Sequence, residues 1–200
     1  MSIHDLAETG GTDSLASIEQ LLKEDAVGTV VNLTDENECT PLHLAAWCGH
    51  KDIAAVLLDH GAAVDAREKD EETPLHRTAM NGHKDVVELL LQHGAETNPR
   101  EASLWTPLLL AVLKKHHDVA ELLIKHGADV NDVEGDDQWS SLHWTALNGH
   151  GAKFAEMLIN CGAEVDAREK DRLTPLLLAA RGGHKNVAEV LIRYSAQVDA

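Results

Sequence analysis

Thirteen histidines and three cysteines are the residues of this 200-residue chain best equipped for chemistry. Imidazoles ligate divalent metals and move protons near neutral pH. Cys48-Gly49-His50 sets a thiol two residues from an imidazole, the pair from which a thiolate nucleophile is made. The carboxylates, 34 in all, offer acid–base partners. Each of these chemistries needs side chains that converge, so the elements carrying them decide what is possible.

Those elements recur. Thr40-Pro-Leu-His, Thr73-Pro-Leu-His, Thr106-Pro-Leu-Leu, Ser140-Ser-Leu-His and Thr174-Pro-Leu-Leu open successive segments 33 or 34 residues apart. Nine positions after each opening comes Gly49, Gly82, Lys115, Gly149 or Gly183, followed each time by histidine. Threonine before proline predicts a helix start, with the hydroxyl capping orphan N–H groups and proline in the first turn. Glycine nine residues on predicts a left-handed helix end. Ile53, Val56 and Leu57, then Val86, Leu89 and Leu90, mark the apolar face of a second helix that stops at Gly61 or Gly94. An extended hairpin-like finger such as Val64–Asp70 leads to the next threonine. One such unit cannot bury its apolar faces alone, so neighbours must stack.

The register removes most of the chemistry. His43, His76 and His143 belong to the opening motif, and His50, His83, His116, His150 and His184 follow its glycine position. His60, His93 and His126 precede the second stop, which leaves only His4 and His117 outside the pattern. The repeated histidines are expected to bond turns between neighbouring units. His50 is such a turn residue, so no catalytic dyad with Cys48 is expected. No phosphate-binding glycine loop and no His-Glu-x-x-His motif occurs. No catalytic residue, metal site or cofactor is expected.

Composition agrees with a folded, non-membrane chain: 44% of residues are hydrophobic and 26% charged. No apolar run is long enough to span a bilayer, and no apolar leader follows Met1. Three cysteines without framework or metal-ligand spacing suggest free thiols in a reducing compartment. The net charge of −17 repels phosphate backbones and excludes general nucleic-acid binding. The acids gather in the fingers, where residues 65–72 carry −3 and residues 129–137 carry −5. An acidic ridge of this kind speeds capture of a basic partner segment.

The Thr-Pro-Leu-His opening, the Gly-His turn and the Leu-Leu-x-x-Gly-Ala ending resemble the ankyrin-repeat family. The resemblance implies an all-α solenoid, with short β-hairpin fingers, filling residues 1–200 as one domain. Full repeats are expected at 40–72, 73–105, 106–139 and 140–173, after a degenerate repeat at 7–39 interrupted by Gly10-Gly11. Residues 174–200 form an incomplete last repeat, and the array is expected to continue past Ala200. Lys115 in a glycine place predicts backbone strain of about 1 kcal/mol if that residue is left-handed. Extra residues near 132–137 and 151–153 predict altered stacking in the fourth and fifth repeats.

Members of the family usually bind partners on the concave side, at positions that vary between repeats. Here those positions hold Trp47 and Cys48, Met80 and Asn81, Trp105, Leu113 and Lys114, Trp139, Leu147 and Asn148, and Arg181. Three of four tryptophans fall on them, and large aromatics are common interface anchors. Trp105→Ala and Trp139→Ala are expected to weaken binding without changing the melting temperature. Asp129-Val130-Asn131 resembles segments that an asparagine hydroxylase recognises in animals, making Asn131 a candidate modification site. The expected function is non-catalytic protein–protein recognition by a monomer, unless the C-terminal end pairs. A second reading makes the chain the recruiting segment of a larger enzyme or microbial effector. The expected location is intracellular: cytoplasm, nucleus, or host cytosol for an effector.

Overall fold

The computed structural model describes residues 1–25 and 28–198. Asp199 and Ala200, and with them the expected continuation past the last residue, lie outside the described residues. The chain divides into two compact units, residues 1–102 and 103–200. In the first, six α-helices among the described residues form three antiparallel pairs: α1 Ile3–Thr9 with α2 Thr12–Glu24, α3 Pro41–Cys48 with α4 Lys51–Asp59, and α5 Pro74–Asn81 with α6 Lys84–Gln92. α1, α3 and α5 pack as one row and α2, α4 and α6 as another. In the second unit the pairs are α7 Pro107–Leu113 with α8 His117–Lys125, α9 Ser141–Asn148 with α10 Ala152–Asn160, and α11 Pro175–Arg181 with α12 Lys185–Arg193. Leu42, Leu57, Leu75 and Leu90 are fully buried between pairs in the first unit, and Leu108, Leu123, Leu142 and Leu158 in the second. The first helix begins at Ile3, four residues ahead of the expected start of the degenerate repeat.

The openings behave as their residues require. Thr106 Oγ1 accepts the N–H of Leu109, and Thr174 Oγ1 that of Leu177. Where histidine stands three residues on, the cap becomes reciprocal. The backbone N–H of Thr40, Thr73 or Ser140 donates to Nδ1 of His43, His76 or His143 at 3.1–3.2 Å. With Nδ1 accepting, Nε2 carries the proton, and His43 Nε2 donates to the carbonyl of Glu72 at 3.1 Å. Burial holds His43 neutral, its pKa lowered to about 4.

Three glycine–histidine steps interlock neighbouring pairs within the units. The imidazole of His50 lies over Gly10, that of His83 over Gly49 and that of His184 over Gly149, where no side chain would fit. In each case Nε2 bonds the carbonyl two residues before the glycine: Glu8, Trp47 and Leu147, at 3.0, 2.9 and 2.8 Å. Lys115 has the left-handed backbone the glycine place imposes, with φ +66°. Its β-carbon occupies the space the next ring would need. His150 is accordingly displaced, packing 5.4 Å from His117 and 6.1 Å from Phe154, with neither ring nitrogen partnered. Lys115 Nζ donates instead to the carbonyl of Asn148. The extra residue Gly151 also takes the N-cap of α10, the place that His50, His83, His116 and His184 hold in the other pairs.

The fingers are turns closed by backbone bonds rather than β-ladders. Among the described residues the only β-bridge joins Val133 and Ser140. The N–H of Asp35, Glu68, Glu134 or Glu169 donates to the carbonyl of the residue before the next opening, at 3.0–3.3 Å. To make this turn Glu38, Glu71, Leu104, Gln138 and Arg172 all take positive φ, between +59° and +66°. No helix of the described residues is long and apolar enough to cross a membrane.

Candidate recognition surface

In the first unit the end of α3 presents Trp47, 42% exposed. Arg77, on α5, lays its guanidinium over that ring, Cζ 5.1 Å from the centroid. The same guanidinium is 3.5 Å from Glu68 Oε2 and stands against Glu72 by proximity rather than through a directed bond from Nε. Glu68 is buried, and its Oε1 accepts the N–H groups of Asp70 and Glu72 at 3.0 and 3.2 Å. Burial pushes the Glu72 carboxyl up, and Arg77 opposes that shift. The Cys39 thiol, buried 4.0 Å from the Arg77 guanidinium, is also pushed up by burial.

The other expected contact residues of this unit are placed less freely. Asn81 Nδ2 donates to the carbonyls of Trp47 and Arg77, both at 3.2 Å, so this amide joins two helix pairs. Met80 and Cys48 are half-buried. Burial raises the Cys48 thiol, the opposite of what a nucleophile needs. His50 is committed to Glu8 and Gly10, so the thiol–imidazole pair suggested by spacing does not form.

In the second unit Trp105 and Trp139 are brought together by Trp144. The ring centroids of Trp105 and Trp144 are 5.5 Å apart, and those of Trp139 and Trp144 are 4.8 Å apart, both pairs tilted. All three are half-buried. The Trp139 indole N–H donates to Glu169; burial alone would raise that carboxyl, but bonds from Asp171, Leu173 and Trp139 hold it below its usual value. Truncating Trp105 or Trp139 therefore removes packing as well as a contact, and an unchanged melting temperature no longer follows. Leu113, Leu147 and Asn148 are half-buried, whereas Lys114 and Arg181 are exposed at the ends of α7 and α11.

Asn131 is bound at both ends of its amide. Nδ2 donates to the carbonyl of Gly162 at 2.9 Å, and Oδ1 accepts the N–H of Glu164 at 2.9 Å. Asn32 makes the same pair of bonds to Gly61 and Ala63. The residue is a staple between fingers. Among the described residues no three His, Cys, Asp or Glu side chains converge as a metal site would require.

Arg77, Glu68, Glu134 and Glu169 were not among the expected contact residues. Arg77 is legible by aligning the repeats, because its place holds Leu44, Leu110, Trp144 and Leu178 elsewhere.

Family models support this architecture. One described as "Ankyrin repeats (3 copies)" matches residues 61–134 and 131–200, and "Ankyrin repeats (many copies)" matches residues 28–77. Ankyrin repeat domain-containing protein 49 of Bos taurus is 48% identical over 52 residues, 26% of this chain and 21% of that protein. The Homo sapiens protein of the same name is 50% identical over 52 residues, with the same coverage. Protein fem-1 homolog A of Danio rerio is 46% identical over 46 residues, 23% of this chain and 8% of that protein. The chain thus matches about a fifth or less of the length of these relatives.

Proposed function

The chain belongs to the ankyrin-repeat family, and from that premise we propose that it binds a partner protein carrying a basic segment. Ankyrin repeats are generally protein–protein interaction modules, and the family is generally non-catalytic. The observation that carries the reading is the position of the aromatics. Trp47, Trp105 and Trp139 stand at the finger bases and first-helix ends, and the fingers beside them carry most of the excess acid. Half-buried indoles offer large contact area for few frozen torsions, while acidic fingers steer and orient a basic ligand. The three cysteines are free, which supports a reducing compartment inside the cell as the module's location.

The test begins with the partner identified by mass spectrometry after capture from the native cell. Its association rate is then measured against salt for the native chain and for the exposed-finger triple variant Glu36→Lys, Asp70→Lys, Asp136→Lys. Steering predicts a rate that falls with salt and drops about tenfold or more in the triple variant. Rates indifferent to both salt and charge reversal would remove the acidic fingers from recognition.

A further inference from the structure

Two matching places in the repeat hold opposite chemistry in the two units. Around α5, the residue before the opening threonine is Glu72, and the residue four after it is Arg77. Around α9, the same two places hold Trp139 and Trp144. An ion pair in one repeat is thus an aromatic pair in the other.

The buried carboxylate of the finger is retained across this exchange. Glu68 N–H donates to the Glu72 carbonyl, and Glu134 N–H to the Trp139 carbonyl, which fixes the two glutamates as equivalents despite the longer finger. Both are more than nine-tenths buried, with relative exposures of 4% and 8%. Glu68 has a countercharge, the guanidinium that also covers Trp47. Glu134 accepts the backbone N–H of Trp139 but has no cationic partner among the described residues, and the charges nearest it are Asp137 and Asp136. Burial first, and those two acids next, push its carboxyl up. A buried carboxylate without a countercharge is costly, and a cation brought to it gains most where solvent is scarce.

We infer that the face formed by Glu134, Trp105, Trp139 and Trp144 receives an arginine side chain from a partner. That side chain supplies in trans the guanidinium that Arg77 supplies in cis to Glu68 and Trp47. The inference rests on the reading of the chain as a protein-contact module and names the chemistry of one of its subsites. Arginine is the occupant because a planar, weakly hydrated guanidinium can stack on an indole while its edge pairs with a carboxylate, the arrangement Arg77 already adopts. The finger from 129 to 137 carries five acids and no base, so it attracts a basic ligand toward this face.

The test uses the full chain carrying Trp47→Phe, so that indole fluorescence reports on the three clustered tryptophans. An octapeptide of alternating arginine and glycine is titrated against counterparts with citrulline, lysine or trimethyllysine in place of arginine. The arginine peptide is expected to bind about tenfold or more tighter than the citrulline peptide, and Glu134→Gln to erase most of that difference. Trp144→Arg, which places a guanidinium in cis, is expected to abolish the arginine-dependent signal; should that variant not fold, Glu134→Gln decides alone. Equal binding of arginine and citrulline peptides overturns the proposal, as does a preference for lysine or trimethyllysine, or an unchanged affinity in Glu134→Gln. If the chain that keeps Glu134 shows no arginine preference yet the native partner still binds through the fingers, the subsite is wrong and the protein-contact reading stands.

Discussion

The imidazole of His184 occupies the space that a side chain on Gly149 would fill: a β-carbon there would lie 2.4 Å from His184 Nδ1. Glycine at this place therefore has two causes, a φ of +61° and the ring that covers it. The same relationship joins Gly10 to His50 and Gly49 to His83. Lys115 breaks it, and His150 loses the carbonyl its counterparts bond.

Lys115→Gly relieves a left-handed backbone and reopens the space over residue 115. The expected gain is about 1 kcal/mol of unfolding free energy, read from urea melts, partly offset by the lost bond to Asn148. A loss of stability would show that the lysine bridge outweighs the strain.

The buried histidines set an acid limit. His43 and His150 titrate in the fold at about 4, against 6.5 for the free side chain, chiefly because burial disfavours the imidazolium. A lowered folded pKa means the unfolded chain binds more protons below pH 6.5. Their contribution is therefore intact above about pH 6.5 and declines toward pH 4, by about 1.4 kcal/mol per pH unit for each group in that window. His150→Leu removes two unpartnered buried nitrogens, so it should raise stability at pH 7 by about 1–2 kcal/mol. It should also reduce the slope of stability against pH by one proton, measured by urea melts at pH 7, 6 and 5. An unchanged slope would mean that His150 is protonated in the fold.

Leu104 has φ +66° and is 44% exposed, an unfavourable conformation for a branched side chain that buries little. Leu104→Asn should stabilise the chain by about 0.5–1 kcal/mol, because asparagine enters the left-handed region more readily. Thermal melting of the two proteins side by side decides it.

Asn131→Ala removes two bonds between fingers and should lower stability by about 1–2 kcal/mol. The same bonds pin the side chain and make its β-carbon a poor target in the folded chain. Hydroxylation at Asn131, followed by mass spectrometry, is expected to rise when mild urea opens the finger and to stay low without it.

Much of the repeat was readable from residues alone. Thr-Pro openings, glycine stops and aliphatic spacing place the helices because each acts on its own few neighbours. The conformations of Glu38, Glu71, Leu104, Gln138 and Arg172 were not readable, since none of these residue types favours positive φ and finger closure imposes it. Lys115 marks strain at its own position, but the place of His150 against His117 and Phe154 depends on distances between segments. Position alone marks the tryptophans, whereas their union through Trp144 and the unpaired charge of Glu134 depend on distances between segments.

The glycine–histidine join also bears on how such a chain can grow. A segment such as residues 40–72 carries a glycine that receives the next ring and a histidine that seeks the previous carbonyl. A duplicated copy would meet complementary ends on both sides, so unequal genetic exchange at this period yields chains that can fold. Lys115 and His150 form a junction that no longer follows the shared rule. A repeat inserted there would lack its mate, which makes that boundary a point where lineages should differ in residues rather than in repeat number.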